Sequence, residues 1–141
     1  MSVRAAKAAE LETCLDIRMK VFVEEQGVPI EEERDAYDDA ALHVIGEVDG
    51  VPMGTARVVF LVETAKIGRV CVMKEARGTG LGREMMQFLL EQIVTRPEIS
   101  RAYLTSQMDA VPFYEQLGFE AFGGIVMDAG IEHREMELLL E

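Results

Sequence analysis

Residues 77–83 read Arg77-Gly78-Thr79-Gly80-Leu81-Gly82-Arg83, and their neighbours decide how the fold is built around them. Before them lies a β-branched, mostly apolar run, Lys66-Ile67-Gly68-Arg69-Val70-Cys71-Val72-Met73, which predicts a central strand. After them Leu81, Met85, Phe88, Leu89 and Ile93 trace one face of a helix that must stop before Pro97. The order is therefore strand, glycine-rich turn, helix. Glycines let several backbone N–H groups approach a ligand without interference from Cβ. The unpaired N–H groups of the helix N-terminus, with the positive end of its dipole, then suit a phosphate. Arg77 and Arg83 add positive charge in a chain whose formal net charge is -12. Two common phosphate loops do not fit. A Walker loop needs GxxxxGK(S/T), but Gly82 is followed by Arg83-Glu84; a dinucleotide loop needs GxGxxG, but position 83 is Arg.

Working outward, Leu42–Val48 and Gly54–Leu61 flank Asp49-Gly50, a type I′ turn dipeptide, and predict a hairpin. Upstream, a short strand is expected near Ser2, then a helix from Ala9 to Glu25 closed by Gly27 and Pro29. The acidic segment Glu31 to Asp39 is expected to be a solvated loop, and it hints at a cationic acceptor or product. Downstream, Arg101–Ser106 predicts a strand, and Asp109 to Leu117 a short helix closed by Gly118. Two last strands follow, around 119–127 and 133–140. The order β-α-β-β-β-α-β-α-β-β is a mixed α+β sheet with helices on its faces.

At 141 residues the chain is the size of one ordinary domain, and nothing divides it. The acidic balance argues against nucleic acid, because a polyanion would be repelled. No apolar run reaches the ~18 residues of a membrane span, and Met1-Ser2-Val3-Arg4 opens no signal peptide, so a soluble cytoplasmic protein is expected. Cys14 and Cys71 lie far apart with no His cluster, so neither a zinc site nor a redox motif is indicated.

Arg77, Gly80 and Gly82 do fill the fixed positions of (Q/R)xxGx(G/A), and the loop resembles the acetyl-CoA pyrophosphate loop of the GNAT superfamily. A second segment, Ser106-Gln107-Met108-Asp109-Ala110-Val111-Pro112-Phe113-Tyr114-Glu115-Gln116-Leu117-Gly118-Phe119, resembles that superfamily's N…A…(F/L)YexlGF stretch. Val21-Phe22-Val23-Glu24-Glu25-Gln26-Gly27-Val28-Pro29, Arg69-Val70-Cys71-Val72 and Asp128-Ala129-Gly130-Ile131-Glu132-His133 are similar to its YjcF/ElaA-like bacterial branch. Gln107 stands where Asn is common, and Glu132 stands where that branch has Pro, which leaves the placement of His133 open.

The resemblance implies one GNAT domain over 1–141, with a central six- to seven-stranded mixed sheet, about four helices, and splaying between the fourth and fifth strands. It implies an N-acetyltransferase that moves an acetyl group from acetyl-CoA to a primary amine of a small molecule or peptide, without a metal. The alternative is a non-catalytic acyl-CoA-binding regulatory module. Residues Arg77, Gly78, Thr79, Gly80, Leu81, Gly82 and Arg83 would hold the pyrophosphate. The backbone of Val70, Cys71 and Val72 would pair with pantetheine, and Gln107, Ala110 and Phe113 would line its other side. A homodimer is compatible with the superfamily. Tyr114 takes the position of the general acid. Because an alkyl amine with a pKa of ~10.4 is protonated at neutral pH, a base is needed as well, for which Glu25 and His133 are the candidates. His43, within a strand, is expected to pack. Cys71 has no base placed near it and reads as a small strand residue.

Overall fold

Seven strands form one sheet in a computed structural model that describes residues 1–140. They are β1 (Ser2–Ala5), β2 (Leu42–Val48), β3 (Val51–Leu61), β4 (Thr64–Val72), β5 (Arg101–Gln107), β6 (Glu120–Asp128) and β7 (Ile131–Leu139). Their spatial order is β1-β2-β3-β4-β5-β7-β6, antiparallel throughout except for the parallel pair β4–β5. The β2–β3 turn is the expected one: Asp49 and Gly50 have φ of 52° and 78°, the left-handed pair that a type I′ turn requires.

Four α-helices accompany the sheet: α1 (Leu11–Arg18), α2 (Ile30–Glu33), α3 (Leu81–Val94) and α4 (Val111–Glu115). Alternation along the strands decides what each helix meets. Val44, Ala56 and Val58 join the core around Leu81, Met85, Met86, Leu89 and Ile93 of α3. Their neighbours Thr55 and Arg57 face the other way, toward α1, where Ile17 and Val21 pack on Cys71. The predicted helix over 9–25 is helical throughout but not uniform. After α1 it widens into a π-helical stretch, Met19–Glu25, and it ends at Gly27 with φ of 75°. Such widened turns accommodate an extra residue and are common beside functional sites.

The acidic segment is a correction. It is not a solvated loop: Glu33 and Asp38 are 3% and 7% exposed. Arg18, itself 0% exposed, bonds Glu33 at 2.8 Å and Asp38 at 2.7 Å. Arg57 bonds Asp35 with both terminal nitrogens at 2.7 Å and Asp38 at 2.8 Å, and Arg69 reaches Glu33 at 3.0 Å. Three arginines from α1, β3 and β4 thus neutralise three carboxylates of this segment. Glu31, Glu32 and Asp39 stay exposed, so the departure from a solvated loop concerns Glu33, Asp35 and Asp38. His43 is buried as expected, with Nε2 donating to the carbonyl of Asp38 at 2.9 Å.

Candidate active site

Strands β4 and β5 pair only at Thr64–Arg101, Ala65–Ala102 and Lys66–Tyr103, and then part. The remainder of β4, through Val72, turns unpaired backbone groups toward a cleft. The bend comes from a register shift between Thr55 and Arg57 of β3, opposite Cys71 and Gly68. Two cavities open along the parting, of about 560 Å³ and about 350 Å³. The first is lined by Val70, Cys71, Val72, Arg77, Gly78, Gly80, Leu81, Gly82, Arg83, Ala110 and Phe113, so most of the expected coenzyme residues are brought together there. The second lies on the α2 side. They share Val70, Ala110 and Tyr114.

At the far end of the first cavity the glycine loop leads into α3. Gly78 and Gly80 have φ of 80° and 90°, a conformation that suits only glycine at low cost. Thr79 folds back, its hydroxyl donating to the carbonyl of Ala76 at 2.6 Å and accepting from the N–H of Leu81 at 3.3 Å. This fixes the N-terminus of a 14-residue helix at the cavity mouth. Arg83 is exposed there, with no ion-pair partner among the described residues. Arg77 differs. Its Nε donates to the carbonyl of Val72 at 3.0 Å, and Nη1 and Nη2 both reach Glu25 at 2.6 Å. Its side chain therefore spans the cleft rather than the loop. The same hydrogen bonds hold the Glu25 carboxyl below its usual range, which makes it a poor proton acceptor in this pairing.

Gln107 closes β5, and its Nε2 donates to Oε1 of Gln26 at 2.7 Å, leaving its own carbonyl oxygen available to the cleft. Tyr114 stands on α4 where the cavities meet. It is 8% exposed, and its ring lies edge-on to Phe113 and Phe119 with centroids 4.9 Å and 6.1 Å away. Burial pushes its hydroxyl well above the usual phenol range, so it stays protonated. His133 on β7 pairs across the sheet with Gln107 and borders the second cavity. Its Nδ1 lies 2.7 Å from the carbonyl of Ile131. A carbonyl only accepts, so Nδ1 carries the hydrogen and the neutral ring keeps its lone pair on Nε2.

Cys71 is 6% exposed, and burial pushes its thiol up to about 12. Reaction needs the thiolate. Both cysteines are buried and free, so the native protein is expected to give no colour with dithio-bis-nitrobenzoate at pH 8 until it is unfolded. Stoichiometric labelling of the native protein would contradict this burial.

Sequence reasoning passed over Gln26, Glu33 and Arg57, and it gave Arg69 no role, although all four border the second cavity. A signal existed for Arg57, the lone charge inside an apolar strand, and for Arg69, which stands among apolar residues three positions after Lys66.

Residues 7–140 match the family model described as an acetyltransferase (GNAT) domain. The chain is 40% identical over 127 residues to a Bacillus subtilis protein with a provisional acetyltransferase name, covering 88% of this chain and 86% of that one. It is 33% identical over 136 residues to the uncharacterized N-acetyltransferase YjcF of Bacillus subtilis, covering 96% of both. A crystal structure of an acyl-CoA N-acyltransferase from Pseudomonas aeruginosa superposes with a TM-score of 0.83 at 28% identity, over 96% of each chain.

Proposed function

The chain belongs to the GNAT acetyltransferase family, and from that premise we propose that it transfers an acetyl group from acetyl-CoA to a primary amine within a ternary complex. The observation that carries this is the meeting of the two cavities at Val70, Ala110 and Tyr114. One cavity leads to a phosphate-type loop, and the other opens on the opposite side of the same tyrosine.

The residues present fit the donor. Gly78 and Gly80 shape the loop, the α3 N-terminus offers free N–H groups, and Arg83 supplies an unpaired positive charge. The unpaired edge of β4 offers Val70 and Cys71 to a peptide-like arm, in the manner of an added strand, and Val72 as well once Arg77 releases its carbonyl. Ala110 and Phe113 line the other side of that cavity, while Gln107 borders the second one. Acetyl-CoA supplies a thioester carbonyl as electrophile and a sulfur leaving group.

The chain's own groups handle the protons. His133 Nε2, on the acceptor side, takes the proton of the incoming ammonium, directly or through water. As the tetrahedral intermediate collapses, Tyr114 Oη delivers a proton to the departing sulfur and is restored by the second proton lost from the attacking nitrogen. Glu25 is set aside as the base, because both of its oxygens are engaged by Arg77. It acts instead as a counter-charge that Arg77 must leave to reach a pyrophosphate. The pair is exposed and weakly held, so Glu25→Gln is expected to tighten acetyl-CoA binding by about two- to fivefold in calorimetric titration.

Acetyl-CoA is expected to raise Tm, whereas ATP and NAD leave it unchanged; no shift with acetyl-CoA at saturation would defeat the reading. Release of free coenzyme A across an amine panel then tests for transfer. Binding without transfer to any amine would instead identify an acyl-CoA-binding regulatory module.

A further inference from the structure

We propose that the amine acceptor also carries a carboxylate, and that Arg69 is the residue that holds it. The inference rests on the acetyltransferase reading above and names its acceptor class.

Arg69 has φ of 54°. The other non-glycine residues with positive φ, namely Asp49, Val62 and Ala129, all sit in turns between consecutive strands. Arg69 alone lies within a strand, at the point where β3 and β4 lose register. Left-handed backbone at a bulky residue is unfavourable and persists where its surroundings impose it, often at ligand sites. Here it turns the guanidinium into the second cavity.

The side chain is held there as a preset fork. Its Nε donates to Oε2 and to the carbonyl of Glu33, at 3.0 Å and 3.1 Å. Its Nη2 meets the carbonyls of Glu33 and Glu32, at 2.8 Å and 3.4 Å, and Oδ2 of Asp35 at 3.3 Å. Nη1 has no protein partner among the described residues, and the side chain is 24% exposed. A guanidinium so fixed loses little entropy when its free arm binds an oxygen.

The wall sets Arg57, Lys66 and Arg69 against Glu32, Glu33, Asp35 and Asp128, so free N–H donors rather than net charge would favour an anion. Both oxygens of Asp35 and of Asp38 already accept from arginine, and Oε2 of Glu33 accepts from Arg18 and Arg69. Each guanidinium carries five N–H donors, so donors remain when these carboxylates are spent. Glu32 and Asp128 also border the cavity, but both are exposed and screened by water. Arg69 directly precedes Val70, which touches both cavities beside Tyr114. A carboxylate on Nη1 therefore lies a small molecule's length from the reacting centre. The cavity of about 350 Å³ has room for a ligand of amino-acid size.

The test is a coenzyme A release assay with free amino acids, their carboxamides, and the diamines putrescine and cadaverine. Carboxylates are expected to exceed their carboxamides by about 10- to 100-fold in kcat/KM, the worth of a charged hydrogen bond. Arg69→Lys is expected to erase most of that preference through KM, with acetyl-CoA binding by titration kept within about twofold. If that variant does not fold, the wild-type comparison decides alone. Equal or better use of carboxamides or diamines overturns the proposal, and so does failure of every amino acid to accept acetyl while acetyl-CoA binds. Failure of acetyl-CoA itself to bind strikes the acetyltransferase reading instead.

Discussion

Tyr114→Phe is expected to lower kcat by about 100-fold or more, with acetyl-CoA affinity and Tm nearly unchanged. The substitution removes one oxygen and keeps the ring. The edge-on contacts with Phe113 and Phe119 therefore survive, as does the packing on the core. A tyrosine that only supported the pocket would lose nothing in this variant. A tyrosine that protonates the sulfur would lose the step that makes sulfur a good leaving group. Burial raises the Tyr114 hydroxyl, which by itself makes it a weaker acid. The proton is therefore delivered as the C–S bond breaks and charge builds on sulfur, not to a finished thiolate. Single-turnover measurements separate the chemical step from product release. Full turnover in the Phe variant would remove Tyr114 from the mechanism.

The geometry of the glycine loop was legible in the sequence because it is local. A strand, two glycines forced to positive φ and a helix start lie within a few residues, and Gly78, Gly80 and Leu81 behave as the pattern requires. The Asp49-Gly50 hairpin was legible for the same reason. The acceptor half was not, because its walls are made by residues distant in sequence. Arg18 meets Asp38 and Arg69 meets Glu33 across 20 and 36 positions, and a count of charges cannot say which pairs form. The acidic segment therefore read as solvent-facing. One clue lay in α1 and the π-helical turn after it, where Arg18 shares a stripe with Cys14, Ile17 and Val21, all buried. An arginine at an apolar position with acidic residues downstream is a buried ion pair in waiting. Arg77 shows the same limit, since its motif position predicts a phosphate contact but not the pairing with Glu25.

Arg18→Met is expected to be the most damaging single change to stability, lowering it by about 3–5 kcal/mol. Methionine fills much of the volume, so the loss is chiefly electrostatic. Glu33 and Asp38 would stay buried with part of their compensation gone. In a domain of this size the loss corresponds to a Tm decrease of roughly 10–20 °C. The pH dependence distinguishes charge from packing. In the wild type, hydrogen bonds and charge from Arg18 and Arg57 hold the Asp38 carboxyl well below its usual range despite burial, and Arg57 does the same for Asp35. A depressed folded-state pKa contributes stability that is fully present above the ordinary value of 3.8 and lost as pH falls below it. Removing Arg18 lets the Asp38 pKa rise, so the variant has less of this stability to lose. Its Tm deficit is therefore expected to hold from pH 7 to about pH 4 and to narrow below that, and Arg18→Met with Asp38→Asn should regain part of it at pH 7. A deficit that stays constant with pH would mean that packing dominates. Because the same network fixes Arg69 through Glu33, the surviving folded variant should also show a raised acceptor KM, with acetyl-CoA binding spared.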